Sequence, residues 1–472
     1  MVVIHLSAEC YPVAKVGGLG DVVGSLPKYQ QAAGITSMVV MPYYDRPFVR
    51  ENAFDVIYSS SFAMGANTFN FQVLKEKTDI SGFHLYLIRI PGLLDRPEIY
   101  SYPDETEQYV AFQLAFLDWL LQFSEKPDLI HCHDHHTALV PFLMNYSYRY
   151  NHQLAHIPTV FTIHNGQYQG WFGWDKFHYL PDVDPWRWGM LDWNGSINSL
   201  AAGVKCCWKF TTVSPNYLEE LKQNSNGLEQ LFIMEQNKGA GIVNGIDTSV
   251  WDPKTDVMIP YNYTADNLSK GKQENKRAIC KQFGLALSRP LVAFIGRLVK
   301  DKGADLLPDA ISRTLNDLKG KVSILVLGSG ESAIEESLAA LKHTIKKDYN
   351  AFIGYDEALS HLIYAGADFL LMPSRVEPCG LNQLYALRYG TAPIVRSTGG
   401  LKDTVVDVSE PQGYGICFDD ASPESISEAI VRASELFANT AGTRLLRKRM
   451  MALDFSWNRS ATQYINLYES LK

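Results

Sequence analysis

Short apolar runs alternate with longer amphipathic stretches along the chain, and this alternation restricts the fold more than any other feature. Most of the runs are continuously apolar, as in strands that are buried on both faces of a parallel sheet. Strand–helix–strand alternation predicts an α/β fold with right-handed crossover connections. The predicted strands are Val2–Leu6, Met38–Met41, Leu129–Cys132, Thr159–Ile163 and Thr211–Val213, then Leu291–Ile295, Ser323–Leu327, Ala351–Ile353, Phe369–Met372 and Pro393–Val395.

A polar stretch at about residues 239–289 separates these strands into two groups. We therefore predict two Rossmann-like, doubly wound domains, residues 1–244 and 245–455, that face a deep cleft. Ligands of such sheets bind at the carboxyl ends of the strands. Residues 43–91 alternate aromatic and polar side chains, which predicts an insertion of antiparallel hairpins in the first domain.

The charge balance and the cysteines narrow the class of protein. The 472 residues carry 43 Lys and Arg against 51 Asp and Glu, a net charge of −8. A chain without a strongly basic field is not expected to bind nucleic acid. The one tight basic run, residues 270–281, is expected to be a solvated helix face. The seven cysteines include no CxxC pair, and we find no signal peptide or long apolar segment. We therefore expect a reduced, cytoplasmic protein with no membrane contact.

A glycine-rich segment, Lys15-Val-Gly-Gly-Leu-Gly-Asp21, follows the first predicted strand and precedes a predicted helix. Glycines at a helix N-terminus allow backbone N–H groups to approach an anion, and Lys15 would add a positive charge. A dinucleotide-binding loop is the alternative. The glycines lie too far after the strand for that loop, and Val23 stands where its third glycine belongs.

A histidine-rich segment, His131-Cys-His-Asp134-His-His136, follows another predicted strand. This density of ligand types is compatible with a metal-dependent hydrolase. Asp134 comes one position too early for the binuclear HxHxDH pattern, however. We favour neutral imidazoles that hydrogen-bond a polyol, and we expect no metal. His164 ends the next predicted strand in a similar way.

Three segments in the second half of the sequence, each between a predicted strand and a predicted helix, are rich in charged residues or glycine. Arg297 and Lys302 follow a predicted strand, and two cations near a helix start suit the binding of a diphosphate. Glu377 lies in a Pro- and Gly-containing turn just ahead of a predicted helix, where a carboxylate stays ionised. Ser397-Thr-Gly-Gly-Leu401 is a second glycine pair between a strand and a helix.

Together these motifs resemble the family of bacterial glycogen synthases and plant starch synthases, retaining glucosyltransferases whose GT-B fold has two Rossmann-like domains. The resemblance rests on the glycine-rich segment at Lys15, on Arg297 and Lys302, on the Glu377 turn and on the segment that starts at Ser397. It covers nearly the whole chain. Asp454-Phe-Ser-Trp457 is similar to the start of the family's last helix, so residues 456–472 are expected to cross back to the first domain.

The resemblance implies transfer of glucose from ADP-glucose to the non-reducing end of an α-1,4-glucan, with retention of configuration and without a metal or other cofactor. It implies catalytic roles for Glu377, His164, Arg297, Lys302 and Asp134. It implies donor or acceptor binding by Lys15, Gly17, Gly18, Asp21, Asn244, Tyr355, Cys379, Gly380, Leu381, Thr398 and Gly399. Asn382 departs from the family pattern, which leads us to expect Thr there.

Other functions are compatible with parts of the sequence. A related GT-B enzyme would use UDP-glucose and a small acceptor. A NAD-dependent oxidoreductase would need a better dinucleotide loop, and a metal-dependent hydrolase would need the histidine cluster as its ligands. A non-catalytic glucan-binding protein would not need the set of cations at the predicted donor site. The sequence makes no prediction of the oligomeric state.

Overall fold

The computed structural model describes residues 1–345 and 347–472, which form two compact units. The first consists of Met1–Ile242 and Trp457–Lys472, and the second of Val243–Ser456. The sequence places the domain boundaries at 244/245 and 455/456. Asn244 therefore belongs to the second unit and does not end the first.

The first unit contains twelve of the strands among the described residues. They are β1 Val2–Leu6, β2 Thr36–Pro42, β3 Phe54–Met64, β4 Asn67–Glu76, β5 His84–Arg89, β6 Leu129–His133, β7 Thr159–Ile163, β8 Trp171–Phe172, β9 Asp192–Trp193, β10 Ser196–Asn198, β11 Lys209–Thr212 and β12 Gly239–Gly241. Nine form one sheet in the order β12-β11-β7-β6-β1-β2-β5-β4-β3, and the short strands β8, β10 and β9 form a second sheet. All pairs from β12 to β5 are parallel.

Helices of this unit connect the parallel strands, as the alternating pattern predicts. They are α1 Gly18–Ala32, α2 Pro47–Glu51, α3 Glu105–Leu121, α4 Leu139–Tyr146, α5 Asn151–Leu154, α6 Trp188–Leu191, α7 Ser199–Cys206, α8 Pro215–Leu221 and α9 Glu229–Met234. The chain order of the strands reverses between β1 and β6. The carboxyl ends of strands at such a reversal are where α/β sheets bind ligands.

The predicted hairpin in residues 43–91 exists, but it is part of the main sheet. Strands β3 and β4 pair in antiparallel fashion, and β4 pairs with β5 in the same way. Strand β5 then pairs in parallel with β2. The segment therefore extends the edge of the Rossmann-like sheet and adds no separate layer.

The second unit has a six-stranded parallel sheet among its described residues. Its strands are β13 Leu291–Ile295, β14 Ser323–Gly328, β15 Tyr349–Ile353, β16 Phe369–Met372, β17 Ala392–Arg396 and β18 Ile416–Phe418, in the order β15-β14-β13-β16-β17-β18. Its helices are α10 Leu268–Phe283, α11 Leu307–Asp317, α12 Ser332–Thr344, α13 Glu357–Gly366, α14 Asn382–Arg388, α15 Gly399–Thr404, α16 Pro423–Ala438 and α17 Thr440–Met451. This is the 3-2-1-4-5-6 order of a doubly wound Rossmann sheet, which reverses between β13 and β16.

The basic run lies on α10, and the prediction of a fully solvated face is wrong for two of its lysines. Lys272 and Lys276 are buried. Lys276 Nζ lies 2.6 Å from the carboxylate of Asp368, and Lys272 Nζ lies 2.6 Å from the hydroxyl of Thr391. The two residues are one helical turn apart, so they share the face that packs inward. There they anchor α10 to the sheet.

The final helix, α18 Trp457–Glu469, packs on the first unit. Its buried residues Trp457, Ala461, Tyr464 and Tyr468 share a core cluster with Val3 of β1 and with α1. Burial of this apolar face at about 25 cal/mol per Å² stabilises the placement of the helix. Among the described residues, none of the helices has the length and apolar character that crossing a bilayer requires.

Candidate active site

The second unit places predicted site residues at the point where its strand order reverses. Strands β13 and β16 are neighbours in the sheet. Arg297 follows β13 and is exposed, and Glu377 follows β16 and is buried. Within the described part of the chain, no side chain or backbone group forms a hydrogen bond or ion pair with the Arg297 guanidinium. This cation is therefore available to a ligand.

Glu377 is held by two donors. Lys302 Nζ donates to Glu377 Oε1 over 2.7 Å, and the Ser374 hydroxyl donates to Oε2 over 2.9 Å. Only 8% of Glu377 is exposed. The two donors fix both oxygens of the carboxylate in place. The pair thus keeps a positive and a negative group fixed side by side at the end of the sheet.

The two glycine motifs of this unit fit against each other through the backbone. Gly400 N–H donates to the carbonyl oxygen of Glu377 over 3.0 Å. Gly399 has a φ of +46°, and a Cβ atom there would collide with that same carbonyl oxygen. Thr398 is buried just ahead of this glycine. The glycine pair therefore fixes the backbone of the Glu377 turn.

The turn after Glu377 is also specified by glycine. Gly380 has a φ of +75°, which favours glycine, and a Cβ there would meet the Gln383 side chain. Leu381 directly precedes α14. Asn382, the departure from the family pattern, donates from Nδ2 to the carbonyl oxygen of Ile295 over 2.8 Å. Its side chain thus ties α14 to the end of β13.

Asn244 and Cys379 lie against each other in this unit. Burial raises the pKa of the Cys379 thiol to about 12, and a hydrogen bond from the Asn244 backbone partly offsets this. The thiol is therefore protonated at neutral pH and is not a nucleophile. Asn244 Oδ1 is buried with no hydrogen-bond partner among the described residues. A buried amide oxygen without a partner is available to a ligand hydroxyl.

One expectation about the second unit needs qualification. We expect a helix to begin at about Gly303, but α11 begins at Leu307, after 3₁₀ turns at Lys300–Lys302 and Ala304–Leu306. Gly303 has a φ of +68°, which interrupts a regular helix there. Lys302 is therefore held by its turn and by Glu377.

Tyr355 follows β15 and is 83% exposed.

The glycine-rich segment of the first unit already faces an anion of this chain. Glu9 Oε2 accepts hydrogen bonds from Val16 N–H over 2.6 Å and from Gly17 N–H over 3.0 Å. The Tyr100 hydroxyl donates to Glu9 Oε1 over 2.6 Å. The sequence analysis missed Glu9. Its position just after β1, ahead of the glycines, is the only sequence signal that could have found it.

The outer side of the same segment is open. A Cβ atom at Gly17 or Gly18 would meet nothing within 4 Å. Lys15 Nζ lies 2.6 Å from Asp21 Oδ1, so these two predicted binding residues pair with each other across the start of α1. The glycines leave room on their outer face for a ligand to approach the backbone.

Asp134 and His164 come together at the carboxyl ends of β6 and β7. Asp134 has a φ of +56°, which is strained for an aspartate. Its Oδ1 accepts hydrogen bonds from the backbone N–H of His164 over 2.7 Å and of Asn165 over 3.4 Å. Burial raises the pKa of Asp134 to about 7. Burial also lowers the pKa of His164 to about 3, so this imidazole is neutral at physiological pH.

Two clusters among the described residues have the composition of metal sites. The first is His5, His131 and His133, whose ring nitrogens lie within 4.8 Å of one another. Each of their nitrogens already takes part in a hydrogen bond, either between His5 and His133 or to a neighbouring side chain, so the rings are satisfied without an ion. The second is Glu105, His135 and His136. In that cluster the two Nδ1 atoms are buried without hydrogen-bond partners among the described residues.

Comparison with known proteins identifies the family. Residues 2–234 match the family described as the starch synthase catalytic domain, and residues 275–437 match glycosyl transferases group 1. A glycogen synthase of Flavobacterium johnsoniae is 52% identical over 468 residues, which are 99% of this chain and 98% of that protein. A glycogen synthase of Streptococcus pneumoniae is 36% identical over the full length of both chains.

Solved structures agree with the sequence relatives. The catalytic domain of starch synthase IV from Arabidopsis thaliana, bound to ADP and acarbose, superposes with a TM-score of 0.89 at 34% identity and covers 99% of both chains. Sucrose-phosphate synthase from Thermosynechococcus elongatus covers 100% of this chain and 98% of its own at a TM-score of 0.63 and 19% identity, a likeness of fold alone. The chain therefore belongs to the glycogen and starch synthase family of glycosyltransferases and has the GT-B fold of two Rossmann-like domains.

Proposed function

We propose that this glycosyltransferase transfers glucose from ADP-glucose to the non-reducing end of an α-1,4-glucan and retains the α configuration. The observation that carries the proposal is the Lys302–Glu377 pair, 2.7 Å apart, together with the exposed Arg297, all of which follow the neighbouring strands at the reversal of the second sheet. The starch synthase IV structure that this chain resembles contains ADP and acarbose, which supports a nucleotide donor and a glucan acceptor.

Arg297 and Lys302 are assigned to the leaving nucleotide. When the glycosidic C–O bond breaks, negative charge develops on the diphosphate and positive charge on the sugar. Fixed cations at the diphosphate stabilise that charge in the transition state and need no metal ion. We therefore propose that catalysis requires no metal. Tyr355 is assigned to the adenine and Asn244 to the donor.

Glu377 is assigned to the hydroxyls of the donor glucose. Its carboxylate is held by Lys302 and Ser374, an arrangement that suits a hydrogen-bond acceptor. The backbone groups of Cys379, Gly380 and Leu381 and of Thr398 and Gly399 are assigned to the same ligand. Both positions require glycine, since a Cβ atom at Gly380 would meet the Gln383 side chain and one at Gly399 the Glu377 carbonyl oxygen.

The first unit is assigned to the reacting sugar and the acceptor. His164 is proposed to lie beside the anomeric carbon, and Asp134 beside the glucose. The segment with Lys15, Gly17, Gly18 and Asp21 is proposed to approach the donor phosphates or the acceptor. Among the described residues at this end of the sheet, we assign no carboxylate the role of nucleophile.

Retention is therefore proposed to proceed by attack on the face from which the nucleotide leaves. The departing phosphate oxygen takes the proton of the acceptor hydroxyl as the new glycosidic bond forms. A nucleophilic carboxylate would instead form a covalent glucosyl-enzyme, as in retaining glycosidases. Mass spectrometry of the enzyme, mixed with donor and quenched rapidly, would detect a glucosyl adduct on Glu377 or Asp134. Such an adduct would overturn the same-face step.

Nucleotide release tests the choice of donor. We expect ADP release from ADP-glucose when glycogen is present, and a much slower release of UDP from UDP-glucose. Strong preference for UDP-glucose with a small acceptor would support the related GT-B alternative. Activity that persists in chelator is expected, and loss of activity that zinc restores would contradict the metal-free proposal.

A further inference from the structure

A continuous chain of hydrogen bonds crosses the core of the first unit from His164 to Gln30. His164 Nε2 lies 3.0 Å from His133 Nδ1, and His133 Nε2 lies 3.1 Å from His5 Nδ1. His5 Nε2 lies 2.7 Å from Gln30 Oε1. All four residues are buried. They come from four places in the fold, since His164 follows β7, His133 is in β6, His5 is in β1 and Gln30 is in α1.

These hydrogen bonds all run in one direction, because each neutral imidazole has one N–H donor and one acceptor nitrogen. Burial lowers the pKa of His5 to about 4, of His164 to about 3 and of His133 well below its usual range, so all three rings are neutral at pH 7. The carbonyl oxygen of Gln30 can only accept. His5 must therefore carry its proton on Nε2, and its Nδ1 must accept.

The same assignment of donors and acceptors extends from His5 to His164. His5 Nδ1 accepts from His133 Nε2–H, and His133 Nδ1 accepts from His164 Nε2–H. We propose that Gln30 is a positioning residue that fixes the proton of His164 on Nε2 and leaves Nδ1 as a hydrogen-bond acceptor for a substrate hydroxyl. Within residues 1–345 and 347–472, no group forms a hydrogen bond to this Nδ1. The identity of that hydroxyl as a sugar group rests on the proposed function.

The other contacts of the Gln30 amide agree with this orientation, since its two partners are hydroxyl groups that can donate or accept. Gln30 Nε2 donates to the Tyr468 hydroxyl over 3.0 Å, and the Ser37 hydroxyl donates to Gln30 Oε1 over 3.3 Å. Tyr468 then donates its own proton to His131 Nδ1 over 2.7 Å, and His131 Nε2–H donates to the Thr162 hydroxyl over 2.6 Å. Every donor in this sequence meets an acceptor. The final helix, through Tyr468, thus contributes to the protonation of His164.

The direct test is the nitrogen spectrum of the histidines in the ligand-free, full-length protein. Long-range ¹H–¹⁵N correlation spectra distinguish a protonated ring nitrogen from an unprotonated one, and a His164→Gln spectrum assigns the signals. We expect His164 to show a protonated Nε2 and an unprotonated Nδ1. A proton on Nδ1, or an averaged pattern from both forms, would overturn the proposal. This readout needs no turnover, so it is separate from any failure of the proposed function.

Two variants test which residues set the direction of these hydrogen bonds. Gln30→Leu removes the acceptor for His5, and Tyr468→Phe removes the oxygen that accepts from the Gln30 amide nitrogen. Both should move the His164 proton wholly or partly to Nδ1. An unchanged His164 pattern in a folded variant would contradict the role of the altered residue. Tyr349→Phe is the matched control, because it removes a buried tyrosine hydroxyl from the second unit, where that hydroxyl donates to Leu338 O over 2.9 Å.

Kinetics provide the second readout. Loss of one correctly directed hydrogen bond to substrate should lower kcat/KM about tenfold in Gln30→Leu and Tyr468→Phe. Tyr349→Phe should retain wild-type kinetics at the same temperature. A tenfold loss without any change in the His164 spectrum would assign the effect to folding and overturn the proposed mechanism.

Discussion

Lys302 Nζ lies 2.7 Å from Glu377 Oε1, in turns that follow the neighbouring strands β13 and β16 of the second unit. The lysine therefore serves two partners in the proposed reaction, the carboxylate that binds the glucose and the phosphate that leaves. Removing it would leave a buried carboxylate without its counter-charge. A substitution of either Lys302 or Glu377 is therefore expected to disturb the function of the other residue.

Lys302→Ala should lower kcat/KM by about 10²–10³, the size of effect seen when one fixed transition-state donor is removed. Lys302→Arg keeps the charge but not the geometry and should recover part of the loss. Steady-state ADP release with glycogen measures both. Lys300→Ala, an exposed lysine of the same turn, is the control and should remain near wild type. Equal activities for Lys302→Ala and the control would contradict the assignment.

Gly399→Ala should lose most activity, because its Cβ would collide with the Glu377 carbonyl oxygen and displace the turn. Gly284→Ala is the matched control. Gly284 has a similar positive φ of +68°, but a Cβ there meets nothing within 4 Å. The control should cost only about 1 kcal/mol of stability from backbone strain. Thermal unfolding and ADP release separate the two effects, and comparable activity in both variants would argue against the role of Gly399.

The buried histidines should make the first unit sensitive to acid. Burial lowers the pKa of His5 from 6.5 to about 4 and of His164 from 6.5 to about 3. Below pH 6.5 the unfolded chain binds protons that the native state excludes, so stability falls as the pH drops from about 6.5 towards 4. Each such histidine contributes up to about 1.4 kcal/mol per pH unit.

Denaturant unfolding between pH 7 and 5 measures this slope. His5→Leu should reduce it by the share of one histidine, whereas His156→Gln, at an exposed position, should leave it unchanged. An equal pH slope in His5→Leu and wild type would show that the native His5 ring takes up a proton as readily as the unfolded chain, since Asp134 is present in both proteins.

Asp134 should act in the opposite direction. Burial raises its pKa from 3.8 to about 7, so between these values the native state holds a proton that the unfolded chain has lost. Its contribution therefore reduces stability as the pH rises from about 4 to 7. Asp134→Asn removes this titration and should be more stabilising, relative to wild type, at pH 8 than at pH 5. A pH-independent difference between the two proteins would contradict the raised pKa.

The alternation of apolar runs predicted most of the fold. Strands β1, β7, β13 and β16 have the predicted ends, because each is a short, mainly apolar run whose residues are nearly all buried. The short strands β12 and β18 were missed. Gly239–Gly241 has no apolar run, and its pairing with β11 comes from the backbone alone.

The site was predicted less completely than the fold, since motifs name residues but not their partners. Local spacing identified Lys302 and Glu377, yet their salt bridge joins residues on different strand ends. Glu9, Gln30 and Tyr468 carry no motif, and Gln30 and Tyr468 meet only after α18 packs on α1. The burial of Lys272 and Lys276 likewise depends on which face of α10 the sheet covers. Contacts that tertiary packing creates cannot be read from local pattern.

The most direct test of the central proposal is the stoichiometry and linkage of the product. ADP release and incorporation of labelled glucose into glycogen should be measured in the same reaction, followed by NMR of the new linkage. We predict one ADP for each glucose added and an α-1,4 bond at the non-reducing end. Release of ADP without incorporation, or a β-linked product, would contradict a retaining glucan synthase.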